Sequence, residues 1–172
     1  SIDANQRTST VIVNLIGPGA AVEVYGLFFG VDQESFSLTH EVYHRAPHTK
    51  SNIITRGALG GQAKTVYSGN IHIEKGVPGC DGRQEARPLL LSRDAHIDAV
   101  PHLEIGNNEV VCSHSVSVSY IGEAKKFYLE SRGLSEADAV QAVVRGHFAD
   151  VLDKIKNTGV KNEAEKRIEE KL

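Results

Sequence analysis

From about residue 8 to residue 120 the chain alternates apolar and other residues with a period of two, and no helical pattern interrupts it. Val11, Val13 and Leu15 alternate with Ile12, Asn14 and Ile16. Val22, Val24, Gly26 and Phe28 keep the same step, and Phe36 and Leu38, Ile71 and Ile73, Leu103 and Ile105, and Val116 and Val118 repeat it. Residues two apart in an extended chain share a face, so the pattern describes strands with one buried side. Turn formers cut it often: Gly17-Pro18-Gly19, Pro47, Gly57, Gly60-Gly61, Gly76, Pro78-Gly79, Pro88, Pro101 and Gly106-Asn107-Asn108. The spacing predicts strands of about five to eight residues with short connections. The lack of intervening helices argues against a β/α fold. A sandwich or barrel, the commoner plan, and a β-solenoid both fit. The pattern alone leans to the sandwich; Leu89-Leu90-Leu91-Ser92, Ala95 and the small residues at turns give the solenoid some support, although no fixed-period motif stands out.

The rest of the composition narrows the function classes. At 172 residues the length is that of about one domain. Nineteen basic and 22 acidic residues leave a net charge of −3, which gives no footprint for nucleic acid or an anionic membrane. No apolar run reaches the ~20 residues of a membrane span, and the polar start is unlike a signal peptide. Two cysteines, Cys80 and Cys112, are too few for a disulfide framework. A cytoplasmic protein is expected.

Beyond Gly122 the period changes. Glu123 to Arg132 is helix-compatible and closes at Gly133, a natural C-terminal cap. Ser135 opens a second helix with Glu136 and Asp138 in its first turn. Its apolar positions, Ala139, Val140, Val143, Val144, Phe148, Val151, Leu152 and Ile155, form one stripe. Gly159 interrupts. Residues 161–172 are charged, with only Ala164, Ile168 and Leu172 on a stripe, and read as a marginal tail helix. The expected division is a β core over 1–121 and a helical segment over 122–172, packed on the end of the β core and closing its open stack.

Chemistry centres on Cys112 and His114, two apart on a strand and therefore on one face. Thiolate and imidazole suit iron, zinc and iron–sulfur clusters, but a closed site wants about four ligands. Taken alone, the pair reads first as a small buried thiol beside a hydrogen-bonded imidazole, and only second as a pair of ligands. His40, His44 and His48 also share spacing, and a structural role for them outweighs a metal row. Asp94, Asp98 and Glu104 leave open a carbohydrate-active β-helix enzyme, which requires their convergence in a cleft with raised pKa values. There is no Gly-x-Ser-x-Gly elbow, and neither glycine cluster carries the lysine and hydroxyl of a phosphate loop.

Seven motifs occur in an order that resembles the core of the SufB/SufD family, scaffolds of iron–sulfur cluster assembly. They are Gly17-Pro-Gly-Ala20, His44-x-Ala-Pro-x-Thr-x-Ser51, Tyr67-x-Gly-x-Ile71, Leu89-Leu-Leu-Ser92, Pro101-x-Leu-Glu-Ile105, Cys112-Ser-His114 and Phe127-Tyr-Leu-x-Ser-Arg-Gly133. The resemblance is closer to SufD. Where SufB carries a cysteine this chain has Ala86, and where SufB has an acid after the histidine it has Ser115. The resemblance implies a mainly β fold, a right-handed parallel β-helix with a C-terminal α-helical segment. It implies a non-enzymatic scaffold that pairs with a SufB-like subunit or with itself. His114, and less strongly Cys112, would serve a transient iron–sulfur cluster shared between subunits. A SufC-type ABC ATPase would dock on Phe127, Tyr128, Arg132 and Gly133, and a cysteine desulfurase would supply sulfur. A metal-free β-solenoid dimerisation module is the remaining alternative. With the resemblance, the absence of methionine is expected of a piece of a longer protein whose preceding residues carry part of the function.

Overall fold

The computed structural model describes residues 6–172. Seven ten-residue strands come first: β1 (Gln6–Leu15), β2 (Ala21–Gly30), β3 (Ser35–His44), β4 (Lys50–Leu59), β5 (Lys64–Ile73), β6 (Asp81–Leu90) and β7 (His96–Ile105). The short β8 (Val111–Val116) and β9 (Ser119–Tyr120) follow, then helices α1 (Glu123–Ser131), α2 (Glu136–Leu152) and α3 (Thr158–Glu169). Odd strands stack as β1-β3-β5-β7 in one parallel sheet, here sheet A. Even strands stack as β2-β4-β6-β8 in a second, sheet B, with β9 also on β6. Each coil therefore contributes one strand to each sheet, and the chain is a parallel β-helix of about four turns, as the resemblance implies. Partner residues are 29 apart between the first coils (Gln6 with Ser35, Ala21 with Lys50). They are 30 to 32 apart further on (Lys50 with Asp81, Lys64 with His96, Asp81 with Val111).

The strands are longer than the sequence predicts because three expected breaks lie inside them. Gly57 sits within β4: a Cβ there would lie 1.9 Å from the Phe28 ring, which fills the space glycine leaves. Pro101 lies within β7, an outermost strand, where a missing N–H is tolerated. Pro88 of β6 faces the gap between β8 and β9, where the ladder to the next coil is already interrupted.

Inward positions stack residue over residue. Val42 stacks on Ile71 and Ile71 on Leu103, and Leu15, Ile53, Ile73 and Cys80 complete an apolar interior. Polar residues are threaded through it. The Thr55 hydroxyl donates to Tyr67 Oη (3.1 Å) and meets His40 Nδ1 (3.3 Å). His44, wholly buried, bridges Thr49 Oγ1 through Nδ1 and Ser51 Oγ through Nε2, both at 2.8 Å. Thr49 gives its one hydroxyl proton to the Ala46 carbonyl (3.0 Å), so Nδ1–H donates to Thr49 and Nε2 accepts from Ser51. The ring is neutral, and burial, which pushes its pKa down, favours that form. The His-x-Ala-Pro-x-Thr-x-Ser signature thus ties a strand end to its turn, the architectural role expected of it.

The helices lie elsewhere than predicted. Phe29, Ala58 and Leu89, stacked in register on the outer face of sheet B, receive Val143, Val144, Phe148 and Leu152 of α2 and Ile168 of α3. Phe29 and Phe148 meet edge to face, 6.1 Å between centroids. Helix α2 therefore covers the flank of three coils rather than the end of the stack, while α3 reaches the first coil, where Ala164 and Ile168 line a cavity with Phe28 and Phe36. A column of apolar side chains on that flank attracts the stripe of α2 more strongly than a narrow coil end. The Ser135 side chain accepts from Asp138 N and caps α2. The expected tail helix is a defined element: Asn157 caps α3, Gly159 lies inside its first turn, and Lys171 pairs with Glu34 in the turn after β2.

Candidate functional site

Strand β8 is the last full strand of sheet B, and its free edge faces away from β6. Cys112, His114 and Val116 pair with Gly82, Gln84 and Ala86, all buried, so the three point inward at the mouth of the final coil. His114 is exposed there and Cys112 half-buried. A Cβ on Gly82 would lie 3.4 Å from Cys112 Sγ and 3.5 Å from His44 Nε2, so the thiol looks down a slot left by glycine. Burial pushes the Cys112 thiol pKa up, with the Gly82 backbone pulling the other way and Asp81 and Cys80 adding to the rise. The sulfur is therefore held as a thiol, and metal binding must displace its proton.

Two donors of the right chemical class thus share one face of an open edge. Among the described residues no cluster of three or more His, Cys, Asp or Glu side chains is arranged to hold a metal. Cys112 and His114 could supply part of a tetrahedral set, with the remainder coming from another chain. Ala86 is buried within the core and offers no ligand.

Other sequence candidates separate. His40 and His44 face the interior about 13 Å apart along β3 and are each bonded to hydroxyls. His48 lies beyond the strand in a left-handed turn (φ 58°). These three form no metal row. Asp98 and Glu104 lie roughly 20 Å apart on the exposed outer face of β7. Asp98 is paired with His96 and Glu104 with His72. Asp94 is in the preceding turn. The three carboxylates do not converge. A cavity of about 500 Å³ exists, but at the first coil, beneath β1 and α3, at the opposite end of the stack from His114.

The second candidate surface is α1, which buries none of its own residues. Phe127 is 71% and Tyr128 56% exposed. The Arg132 guanidinium stacks 5.3 Å from the Tyr128 ring, and Gly133 ends the helix in the left-handed conformation (φ 94°). Lys126 ties α1 to Glu136 of α2 at 2.8 Å. Two exposed aromatics beside an arginine on an otherwise unburied helix are the composition of an interface anchor.

Sequence reasoning did not single out Arg56. It lies under α2 on the outer face of β4 and is 5% exposed. Its Nη2 reaches Glu85 at 2.5 Å and Asp150 at 2.6 Å. An arginine inside the run Ile53-Ile54-Thr55-Arg56-Gly57-Ala58-Leu59 was the available signal, since a charge there must find partners.

Comparison with known proteins identifies the family. Residues 1–147 match the family model for the SUF system FeS cluster assembly, SufBD core domain. An iron-sulfur cluster assembly SufBD family protein of Mycobacterium bovis is 34% identical over 168 residues, covering 93% of this chain and 42% of that protein. The iron-sulfur cluster assembly protein SufD of Bacillus subtilis is 29% identical over 159 residues, 92% of this chain and 36% of its own length. The chain thus spans roughly two fifths of the curated relatives it matches. On the coiled parallel strands, the ordered motifs and these matches together, the chain belongs to the SufBD family of iron–sulfur cluster assembly proteins.

Proposed function

We propose that the chain is the core of a SufD-like scaffold subunit, itself without catalytic activity. Its β7/β8 edge pairs with a SufB-like subunit or a second copy. His114, with Cys112 behind it, supplies donors to a transient iron–sulfur cluster that is cargo of the pair. A SufC-type ABC ATPase docks on α1 through Phe127, Tyr128, Arg132 and Gly133, and a cysteine desulfurase provides the sulfur. The observation that carries this reading is the exposed imidazole at the open mouth of the last coil, on a strand with a free edge. Ala86 in the slot of the SufB cysteine supports the division of labour: one chain holds too few ligands to build a cluster alone. An unpaired strand edge is also a ready template for a partner.

Co-purification of the full-length protein with its pairing subunit and the ATPase tests both surfaces. Arg132→Ala is expected to weaken ATPase binding about tenfold, the effect of losing one interface anchor. His114→Ala is expected to leave that binding intact and lower the cluster yield. Unchanged ATPase binding and unchanged yield would remove both assignments.

A further inference from the structure

Tyr67 and Gly69, from the motif Tyr67-x-Gly-x-Ile71, face Gln84 of β6 across the interior of the third coil. The Gln84 amide fills the space that Gly69 leaves: a Cβ there would lie 1.9 Å from Nε2 and 2.6 Å from Cδ. Gln84 is 3% exposed, yet among the described residues neither Nε2 nor Oε1 has a hydrogen-bond partner. The Tyr67 hydroxyl stands beside the amide, outside hydrogen-bonding geometry with it, and is engaged by Thr55 at 3.1 Å. In register below Gln84 is the apolar Ile53, and in register above it is His114. Leaving a buried amide without a partner costs stability that an apolar side chain of the same length would not. The polar side chain one strand spacing away on the same inward face, at about 4.8 Å, is the imidazole at the mouth.

We propose that Gln84 is a positioning residue for His114: its amide carbonyl accepts the second ring N–H of the imidazole when the first ring nitrogen binds iron. The inference rests on the reading of His114 as a ligand and names the group that orients it. A ligating histidine gives one nitrogen to the metal. Its tautomer and ring plane are set by what the other nitrogen donates to, commonly a carbonyl or carboxylate held behind it. Gln84 Oε1 is such an acceptor, uncharged and without another partner. The bond needs only rotation of the two side chains, because they are neighbours in the ladder, and the bare backbone at Gly69 leaves the amide room to turn. In the unpaired chain solvent serves the exposed imidazole. Once a second subunit covers the mouth, Gln84 takes the place of solvent.

The test is cobalt(II) affinity of the full-length protein in complex with its pairing subunit, read from visible absorbance, beside the denaturant midpoint of the full-length subunit alone. Gln84→Met keeps the length of the side chain and removes the acceptor. It is expected to weaken cobalt binding about ten- to a hundredfold, the usual effect of losing the group behind a ligating histidine. Its midpoint is expected to hold or rise, since two unbonded polar atoms leave the interior. Gln84→Glu keeps an acceptor and is expected to bind cobalt within about threefold of wild type. With His114→Ala already in place, Gln84→Met is expected to change nothing further, because its effect passes through the imidazole. A merely structural glutamine predicts the reverse: a lower midpoint, and a cobalt loss of the same size with or without His114. Either of those results overturns the proposal, and so does an unchanged cobalt affinity in Gln84→Met. If His114→Ala by itself leaves cobalt affinity at the wild-type value, His114 is no ligand and the reading beneath this inference falls, a distinguishable outcome.

Discussion

At the scale of single residues, the buried polar side chains are the most exacting part of the sequence. His44 satisfies two hydroxyls at once inside an otherwise apolar turn. His44→Ala leaves both facing a cavity, and a loss of roughly 3 kcal/mol is expected, read as a lower denaturant midpoint. Burial lowers the pKa of His40, His44 and His147. With the folded pKa below the unfolded one, the unfolded chain binds more protons as pH falls. Stability is therefore full above the unfolded value of about 6.5 and declines as pH drops below it. Urea midpoints at pH 7.5 and 5.5 should show the lower stability in acid. A His147→Gln variant should show a shallower decline. The raised thiol pKa of Cys112 has a separate consequence: metal must compete with its proton. If Cys112 ligates, cobalt(II) thiolate absorbance of the paired complex should grow with pH from 7 toward 9, and Cys112→Ser should abolish that dependence.

At the scale of elements, α2 is held by its apolar stripe, by its Ser135 cap and by polar ties to sheet B. Phe148 is fully buried against Phe29, so Phe148→Ala is expected to cost about 3–5 kcal/mol and to loosen α2, seen as lost protection over residues 136–152. Ser135→Ala removes the cap bond from Asp138 N–H and the hydroxyl's bond to the Asp138 carboxylate, and is expected to cost about 1 kcal/mol. The amphipathic stripe of α2 is plain in the sequence because it follows the helical period whatever the stripe packs against. Its resting place is not, because Phe29, Ala58 and Leu89 become a column only when coils stack 29 or 31 residues apart. The same reason hides α3: its three apolar positions look too few, but Ile168 joins a core that α2 and sheet B have already formed.

At the scale of the whole molecule, the rod has two unlike ends. Residues of β1 are almost all exposed, and β8 presents an edge with an imidazole at its mouth, while β4, β5 and β6 have neighbours on both sides. In a stack each coil is stabilised by the next, so exchange protection should be greatest in β4 to β6 and fall toward both ends. Addition of the pairing subunit should raise protection in β7 and β8 and leave β1 unchanged. Protection gained at β1 in place of β8 would put the partner on the wrong end and remove the role assigned to His114.

What the sequence by itself determined is local: strands from the alternation, helix starts and stops from Ser135 and Gly133, and the family from motifs kept in order. Cys112 and His114 were visible as a pair because a strand places alternate residues on one face without reference to anything distant. Tertiary structure decided the rest. Only the coil register shows that His114 lies at an open mouth, that Ala86 is buried in the core, and that Arg56 has Asp150 within reach across 94 residues of chain. Those facts depend on which segments are stacked. A pattern of period two is the same in a sandwich and in a solenoid, so it fixes the faces of the strands and leaves their neighbours open.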